Sequence, residues 1–292
     1  MNNIKFIEFI ISNSILTGNR QIKLTNNLFI AKGGYCLKLF KLNKKKTQFK
    51  LLDNSPQMMW SISIASELND NNIIAGGKRQ IMILKIVNRS FELVQTITGE
   101  WGELLELVQC ENEKIVISSI DYFLILGKNN NEYQIINKID KISRWYHEIK
   151  YLSENKFLLG EFLNQTKLTV YDLTTDAINK KNLKCCYNFV KDSFNKTMMF
   201  NLHNKYIGIQ SKKTIYILDI KIEEFIFVIE LERNIADCHY FQDDYYLFAF
   251  DNNTIGLVSL KNEFIIEETK EIKNPFHFIN IDKKEFIIFC LE

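Results

Sequence analysis

Four histidines, six cysteines and two groups of carboxylates are the residues of this 292-residue chain that invite a chemical reading. His147, His203, His239 and His277 are far apart in sequence, and no His-x-x-x-His, His-Glu-x-x-His or Cys-x-x-Cys spacing occurs. A tetrahedral metal site therefore has no local scaffold. Cys185 and Cys186 are the one adjacent cysteine pair, and neighbours of that kind rarely chelate an ion alone. Gly33-Gly34 and Gly76-Gly77 are followed by Tyr35 and Lys78, which completes neither a dinucleotide nor a phosphate loop. Both glycine pairs read as tight turns that need positive φ. Glu100, Glu103 and Glu106, the pair Asp243-Asp244 and the run Lys44-Lys45-Lys46 read as solvated edges and hairpin tips. No catalytic set, no metal and no cofactor is expected from these residues.

Aromatic and basic residues form a more regular pattern. Trp60, Trp101 and Trp145 precede the apolar anchors Ile73, Ile115 and Phe157 by 13, 14 and 12 residues. Arg144 stands beside the third tryptophan, and Phe194 and Arg233 occupy comparable loops further along. Trp and Arg dominate binding hot spots because they bury a large area with few rotors and keep a polar handle. Two roles compete for this arc: a wedge packed between neighbouring elements, or exposed side chains that dock a protein partner.

The elements that must position these residues are short strands in a repeat. The first apolar residue after an Asn/Asp/Glu-rich turn falls at Leu28, Ile73, Ile115, Phe157, Tyr206, Tyr246 and Phe286, in steps of 45, 42, 42, 49, 40 and 40 residues. Each unit runs strand, polar turn, apolar strand, break, third strand, fourth strand. The third strands superimpose as LKLFKL from Leu37, IMILKI from Ile81, FLILGK from Phe123, LTVYDL from Leu168, IYILDI from Ile215 and IGLVSL from Ile255. Four short antiparallel strands every 40–45 residues describe the blade of a β-propeller. The middle strands are nearly continuous apolar runs because blades cover them on both faces. No segment keeps a 3.6-residue apolar period over three turns, so a helical array is rejected. The expectation is an all-β, seven-bladed propeller forming one domain over residues 1–292. Its last blade is incomplete or closed by the N-terminal strand Ile4–Ile10.

Composition narrows the function classes. Lys and Arg number 37 against 35 Asp and Glu, a net charge of +2, which lacks the electrostatic footprint of a nucleic-acid binder. No apolar run approaches the roughly 18 residues of a membrane span. Met1 to Leu16 carries Glu8 and no small-residue cleavage site, so it reads as no signal peptide. Irregularly spaced cysteines read as reduced thiols of the cytoplasm.

Tyr171-Asp172 in LTVYDL and Leu218-Asp219 in IYILDI stand where a WD-repeat ends in Trp-Asp, and the stretch Ile73–Ile86 resembles that family's second strand, glycine turn and third strand. The whole chain thus resembles a divergent WD-repeat propeller, although no unit has Trp-Asp or the Gly-His before its first strand. The resemblance implies a rigid, non-catalytic platform for protein partners, with Trp60, Trp101, Arg144, Trp145, Phe194 and Arg233 on the binding rim. Two alternatives come from other classes. One is a propeller hydrolase or lyase with carboxylates or histidines in its channel, where Glu103 is a candidate. The other is a structural subunit of a coat-like or cytoskeletal assembly.

Overall fold

Strands form wherever the apolar runs of the repeat predict them. The computed structural model describes residues 5–11, 22–24, 28–43, 45, 48–110, 113–140, 147–153, 156–162, 166–173, 179–182, 198–202, 205–211, 213–231, 234–242, 245–250, 253–259, 265–272, 275–282 and 285–291. The N-terminal strand is β1 (Lys5–Ile11). The first four-stranded sheet holds β2 (Ile22–Lys23), β3 (Leu28–Lys32), β4 (Leu37–Leu42) and β5 (Phe49–Asn54). The second holds β6 (Ile62–Glu67), β7 (Ile73–Gly77), β8 (Gln80–Val87) and β9 (Ser90–Thr98). The third is β10 (Leu104–Gln109), β11 (Ile115–Ser119), β12 (Tyr122–Asn129) and β13 (Glu132–Asp140). The fourth is β14 (His147–Ser153), β15 (Lys156–Phe162), β16 (Thr166–Asp172) and β17 (Asn179–Asn182). The fifth comprises β18 (Met198–Leu202), β19 (Tyr206–Ser211), β20 (Thr214–Asp219) and β21 (Glu224–Glu230), and the sixth β22 (Ile235–Gln242), β23 (Tyr245–Phe250), β24 (Thr254–Ser259) and β25 (Ile265–Glu271). A three-stranded sheet, β1 with β27 (Glu285–Leu291) and β26 (Pro275–Asp282), is the seventh among the described residues.

The N-terminal strand does join the last sheet, and it does so parallel to β27, with Lys5 opposite Glu285 and Ile11 opposite Leu291. Hairpins force antiparallel pairing only between strands joined by a short turn. No such turn links β1 to β27, so its direction is free.

By internal contacts the chain divides into two compact units. One comprises Met1–Ala31, Phe40–Leu51 and Lys196–Glu292; the other comprises Lys32–Leu39 and Leu52–Asn195. In the second unit β6, β10 and β14 lie side by side. Ile64, Ile74, Ile81, Ile83, Trp101, Leu104, Ile117, Leu124 and Tyr133 form one buried cluster there. Val116, Phe123, Ile125, Ile149, Phe157 and Tyr171 form another, with the Phe157 and Tyr171 rings stacked at 4.9 Å. In the first unit Phe200, Ile215, Ile217, Tyr246, Phe248 and Phe250 pack together, and β26 lies beside β22. β7 and β11 are buried along their whole length, whereas β9 is mostly exposed. That gradient is the physical content of the sequence pattern, since each fully buried Ile, Leu or Phe contributes about 1.5–3 kcal/mol.

Register shifts recur with the repeat. On the third strand, pairing with the fourth slips between Ile83 and Leu84, between Ile125 and Leu126, between Ile217 and Leu218, and between Leu257 and Val258. These are always the third and fourth residues of the repeated hexapeptide. The extra outer-strand residues are Val94, Ile136, Ile226 and Glu267. A second bulge recurs on the first strand at Ile62/Ile64, Leu104/Glu106, Ile235/Asp237 and Pro275/His277.

Turn chemistry follows the sequence, with one correction. The Leu68–Asn72 turn carries Asn71 at φ 61°, and Asp70 Oδ1 accepts the Asn72 N–H at 3.0 Å. Of the Gly33-Gly34 pair, Gly34 has the expected positive φ, 75°, and Gly33 does not. Gly76 and Gly77 instead lie inside β7. A Cβ at Gly77 would collide with the Ser61 carbonyl, and one at Gly76 with the Leu104 side chain. Close packing, not positive φ, requires those two glycines.

Candidate functional site

Three loops of the second unit meet at one rim: the β3–β4 turn, the segment before β6, and the β7–β8 turn. The Met58 N–H donates to the Tyr35 carbonyl at 2.8 Å, and the Ile62 N–H to the Gly34 carbonyl at 2.7 Å. Ser55 adds two further bonds, its N–H to the Leu37 carbonyl and its Oγ accepting the Leu37 N–H, both at 2.9 Å. On the other side, the Met59 N–H donates to Gln80 Oε1 at 3.0 Å. The loop is thus tied to its neighbours at both ends. Met58 points inward, 4% exposed, while Met59 is 81%, Tyr35 58% and Trp60 38% exposed. The Lys78 ammonium lies 5.2 Å from the centre of the Trp60 ring, a cation–π contact.

Trp101 corrects the expectation of an exposed arc. It is buried, and its Nε1–H donates to the Gly77 carbonyl at 3.2 Å. The reason is register. Counted from the first-strand bulge, Trp60 stands two residues before Ile62 and Trp101 three before Leu104. Gly102, at φ 72°, occupies the place equivalent to Trp60 and turns the chain so that the indole of Trp101 goes inward. It packs so closely over Gly99 that a Cβ there would strike the ring. Arg144, Trp145, Phe194 and Arg233 lie outside the described residues.

Glu106, expected at a solvated edge, is instead paired between β10 and β14, the first strands of the third and fourth sheets. Glu106 on β10 accepts the Lys150 ammonium of β14 at 2.6 Å through Oε1 and the Ile149 N–H at 2.8 Å through Oε2. The Lys150 side chain is only 9% exposed. Its discoverable signal was spacing, because the two residues are 44 apart, one repeat. Comparable separations, 40 and 38 residues, link the Asn69 N–H to Gln109 Oε1 and Gln95 to Tyr133. Gln95 both donates to the Tyr133 carbonyl at 2.7 Å and accepts its N–H at 2.9 Å.

A third polar cluster joins the β6–β7 turn to the β12–β13 hairpin. Asp70 Oδ2 accepts Lys128 Nζ and the Tyr133 hydroxyl, each at 3.0 Å, and Asn72 Nδ2 at 2.8 Å. Burial pushes the Asp70 carboxyl up, but the bonds from Lys128, Asn72 and Tyr133 together hold it below its ordinary value. The bond to Asp70 raises the Lys128 ammonium, and burial followed by the same carboxylate raises the Tyr133 hydroxyl. Glu103 offers no acid–base partner in any of these sets; its carbonyl accepts the Ile120 N–H. His147, His239 and His277 lie in β14, β22 and β26, and His203 falls outside the described residues. Among the described residues no group of three or more His, Cys, Asp or Glu could hold a metal ion. No helix among them is long and apolar enough to cross a membrane.

With six four-stranded antiparallel sheets in sequential order, the class of fold is a β-propeller, and solved structures agree. The WD40 propeller domain of Doa1 matches with a TM-score of 0.65 at 11% identity, covering 92% of this chain and 88% of that one. A protein described as a 6-phosphogluconolactonase from Bacteroides fragilis matches at 0.62 and 10% identity, covering 86% and 83%. The periplasmic gluconolactonase PpgL of Pseudomonas aeruginosa matches at 0.63 and 7%, covering 90% and 86%. Neither a family model nor a curated protein sequence matches the chain. The expectation of a non-enzyme is thereby corrected. Two propellers described as lactonases resemble the chain about as well as the WD40 domain does, so this fold carries no implication against catalysis.

Proposed function

We propose that the chain is a divergent WD-repeat propeller, one domain over residues 1–292, that docks a protein partner on the rim of Tyr35, Met59, Trp60 and Lys78. The observation that carries this reading is the contrast within one tied loop. The backbone bonds and the buried Met58 hold the segment in place, while Met59 and Trp60 remain outside. Apolar side chains already ordered on a rigid frame lose little entropy on docking. Arg144, Trp145, Phe194 and Arg233 extend the proposed rim from sequence position alone, and Trp101 leaves it. The cytoplasm, expected from cysteine usage, belongs to the same proposal.

The test is a photocrosslinker, p-benzoylphenylalanine, placed at Met59 and, as a control on the outer wall, at Val94. Docking on the rim gives a discrete adduct from position 59 alone, and Trp60→Ala removes it. Equal labelling from both positions, or none from position 59, overturns the reading.

One observation favours a second reading, hydrolysis of a lactone. Ester opening is accelerated by a base that activates water and by a cation or N–H donor at the oxyanion, and Glu106 with Lys150 places a carboxylate and an ammonium on the first strands of two neighbouring sheets. Gluconolactone and its 6-phosphate are the substrates to assay. Turnover abolished by Glu106→Gln with the fold intact would put this reading first; rates equal to those in buffer would remove it.

A further inference from the structure

The three segments that form the rim carry charge of one sign. Segments 32–38, 55–61 and 77–80 contain Lys32, Lys38, Lys78 and Arg79 and no Asp or Glu. The chain as a whole is almost neutral at +2, so this is a local concentration of positive charge. Each cation is held differently. Lys32 Nζ donates to the Ser63 carbonyl at 2.7 Å. The Lys38 stem runs beneath Gly33, where an added Cβ would lie 2.8 Å from its Cε. Lys78 sits over the Trp60 ring. Arg79 Nε meets Glu100 Oε2 at 3.0 Å, with side chains 50% and 76% exposed. An ion pair so exposed contributes little to stability, so a carboxylate from outside can take the place of Glu100.

We infer that the rim takes an acidic segment of a protein partner, in which a carboxylate stands beside a large apolar side chain. This rests on the docking reading above. The Lys78 ammonium stands over the half-exposed Trp60 ring, so a side chain that packs on the open part of that ring comes close to the ammonium. An apolar group there excludes water from the ammonium, and the charge then needs a counter-ion within reach. A carboxylate on an adjacent partner residue supplies it, with Arg79 one residue further along. A neutral or basic segment would bury the indole and leave that ammonium uncompensated, which is unfavourable. Nucleic acid fits less well, since four cations, one already bound to a carbonyl, neutralise few phosphates.

The experiment selects random short peptides on the full chain and measures the strongest binder by fluorescence anisotropy. The expected consensus places Asp or Glu next to Leu, Ile or Phe. Its affinity should fall about tenfold or more in Lys78→Glu/Arg79→Glu and in Trp60→Ala, and should weaken with added salt. A Trp60-dependent consensus that is neutral or basic overturns the acidic inference and leaves the docking reading intact. Binders indifferent to Trp60→Ala overturn both. Vesicles of phosphatidylserine and phosphatidylcholine are run alongside; vesicle binding that needs Trp60, with no peptide selected, overturns the protein partner in favour of an anionic surface.

Discussion

Gly102 turns the chain at φ 72°, and that turn sends the Trp101 indole to the Gly77 carbonyl, whereas Trp60 keeps an open face. The two side chains should therefore behave oppositely when truncated. Trp101→Ala is expected to cost about 3–5 kcal/mol, the usual loss for emptying a large aromatic site. Trp60→Ala should change stability by no more than about 0.5 kcal/mol. Urea unfolding followed by far-ultraviolet circular dichroism measures both. The Asp70 cluster makes a prediction in pH. A carboxyl held below its ordinary value stabilises the fold fully above that value, and the stabilisation is lost as pH falls through the depressed one. A raised lysine works the other way: Lys128 contributes fully below its ordinary value of 10.5, and its contribution is lost as pH rises through the raised one. Asp70→Asn should cost about 1–3 kcal/mol at neutral pH. The gap from wild type should close as the solution is taken to acid below the ordinary aspartate range. A gap that stays constant into acid would remove the charge from the explanation.

At the scale of the element, a four-stranded sheet has two raw edges, and side chains dress them. On the inner edge Glu106 accepts a backbone N–H and the ammonium of the next strand; on the outer side the Gln95 carboxamide pairs with the Tyr133 backbone as a peptide group would. Breaking the inner pair by Glu106→Leu should cost about 3–5 kcal/mol, because Lys150 is left buried without a counter-charge. Adding Lys150→Met should recover most of that loss, and a double-mutant cycle in urea measures the recovery. No recovery would mean that the Ile149 N–H, not the ammonium, is the partner that matters. The strands themselves were legible in the sequence, since the hexapeptides from Ile81, Phe123, Ile215 and Ile255 fall on third strands with a common bulge. The bulges were not legible. An extra residue exists only relative to a partner strand, and Val94 or Ile136 looks like any outer-strand residue until it is paired. The burial of Trp101 was hidden for a related reason. Offsets of 13 and 14 residues look equivalent, yet one residue in a loop reverses which way a side chain faces.

For the whole molecule, the repeat period was enough to reach the fold and too little to reach the function, because the same architecture serves proteins described as WD40 domains and as lactonases. The parallel pairing of β1 shows what the period leaves out, since no hairpin turn joins β1 to β27 to set its direction. Removing residues 1–11 would uncover β27, an apolar FIIFC run, along seven residues of backbone. Such a truncation should associate with itself, which light scattering across a concentration series would detect; a monodisperse variant would show that β1 is dispensable. The opposite settings of Trp60 and Trp101 also make the protein its own optical instrument. With Trp145→Phe as background, the sheltered indole should emit to the blue, resist iodide and change only when the chain unfolds. The open one, with the Lys78 ammonium drawing iodide towards it, should be quenched readily and be shielded when a ligand covers the rim. One cuvette would then separate occupancy from folding without any added label.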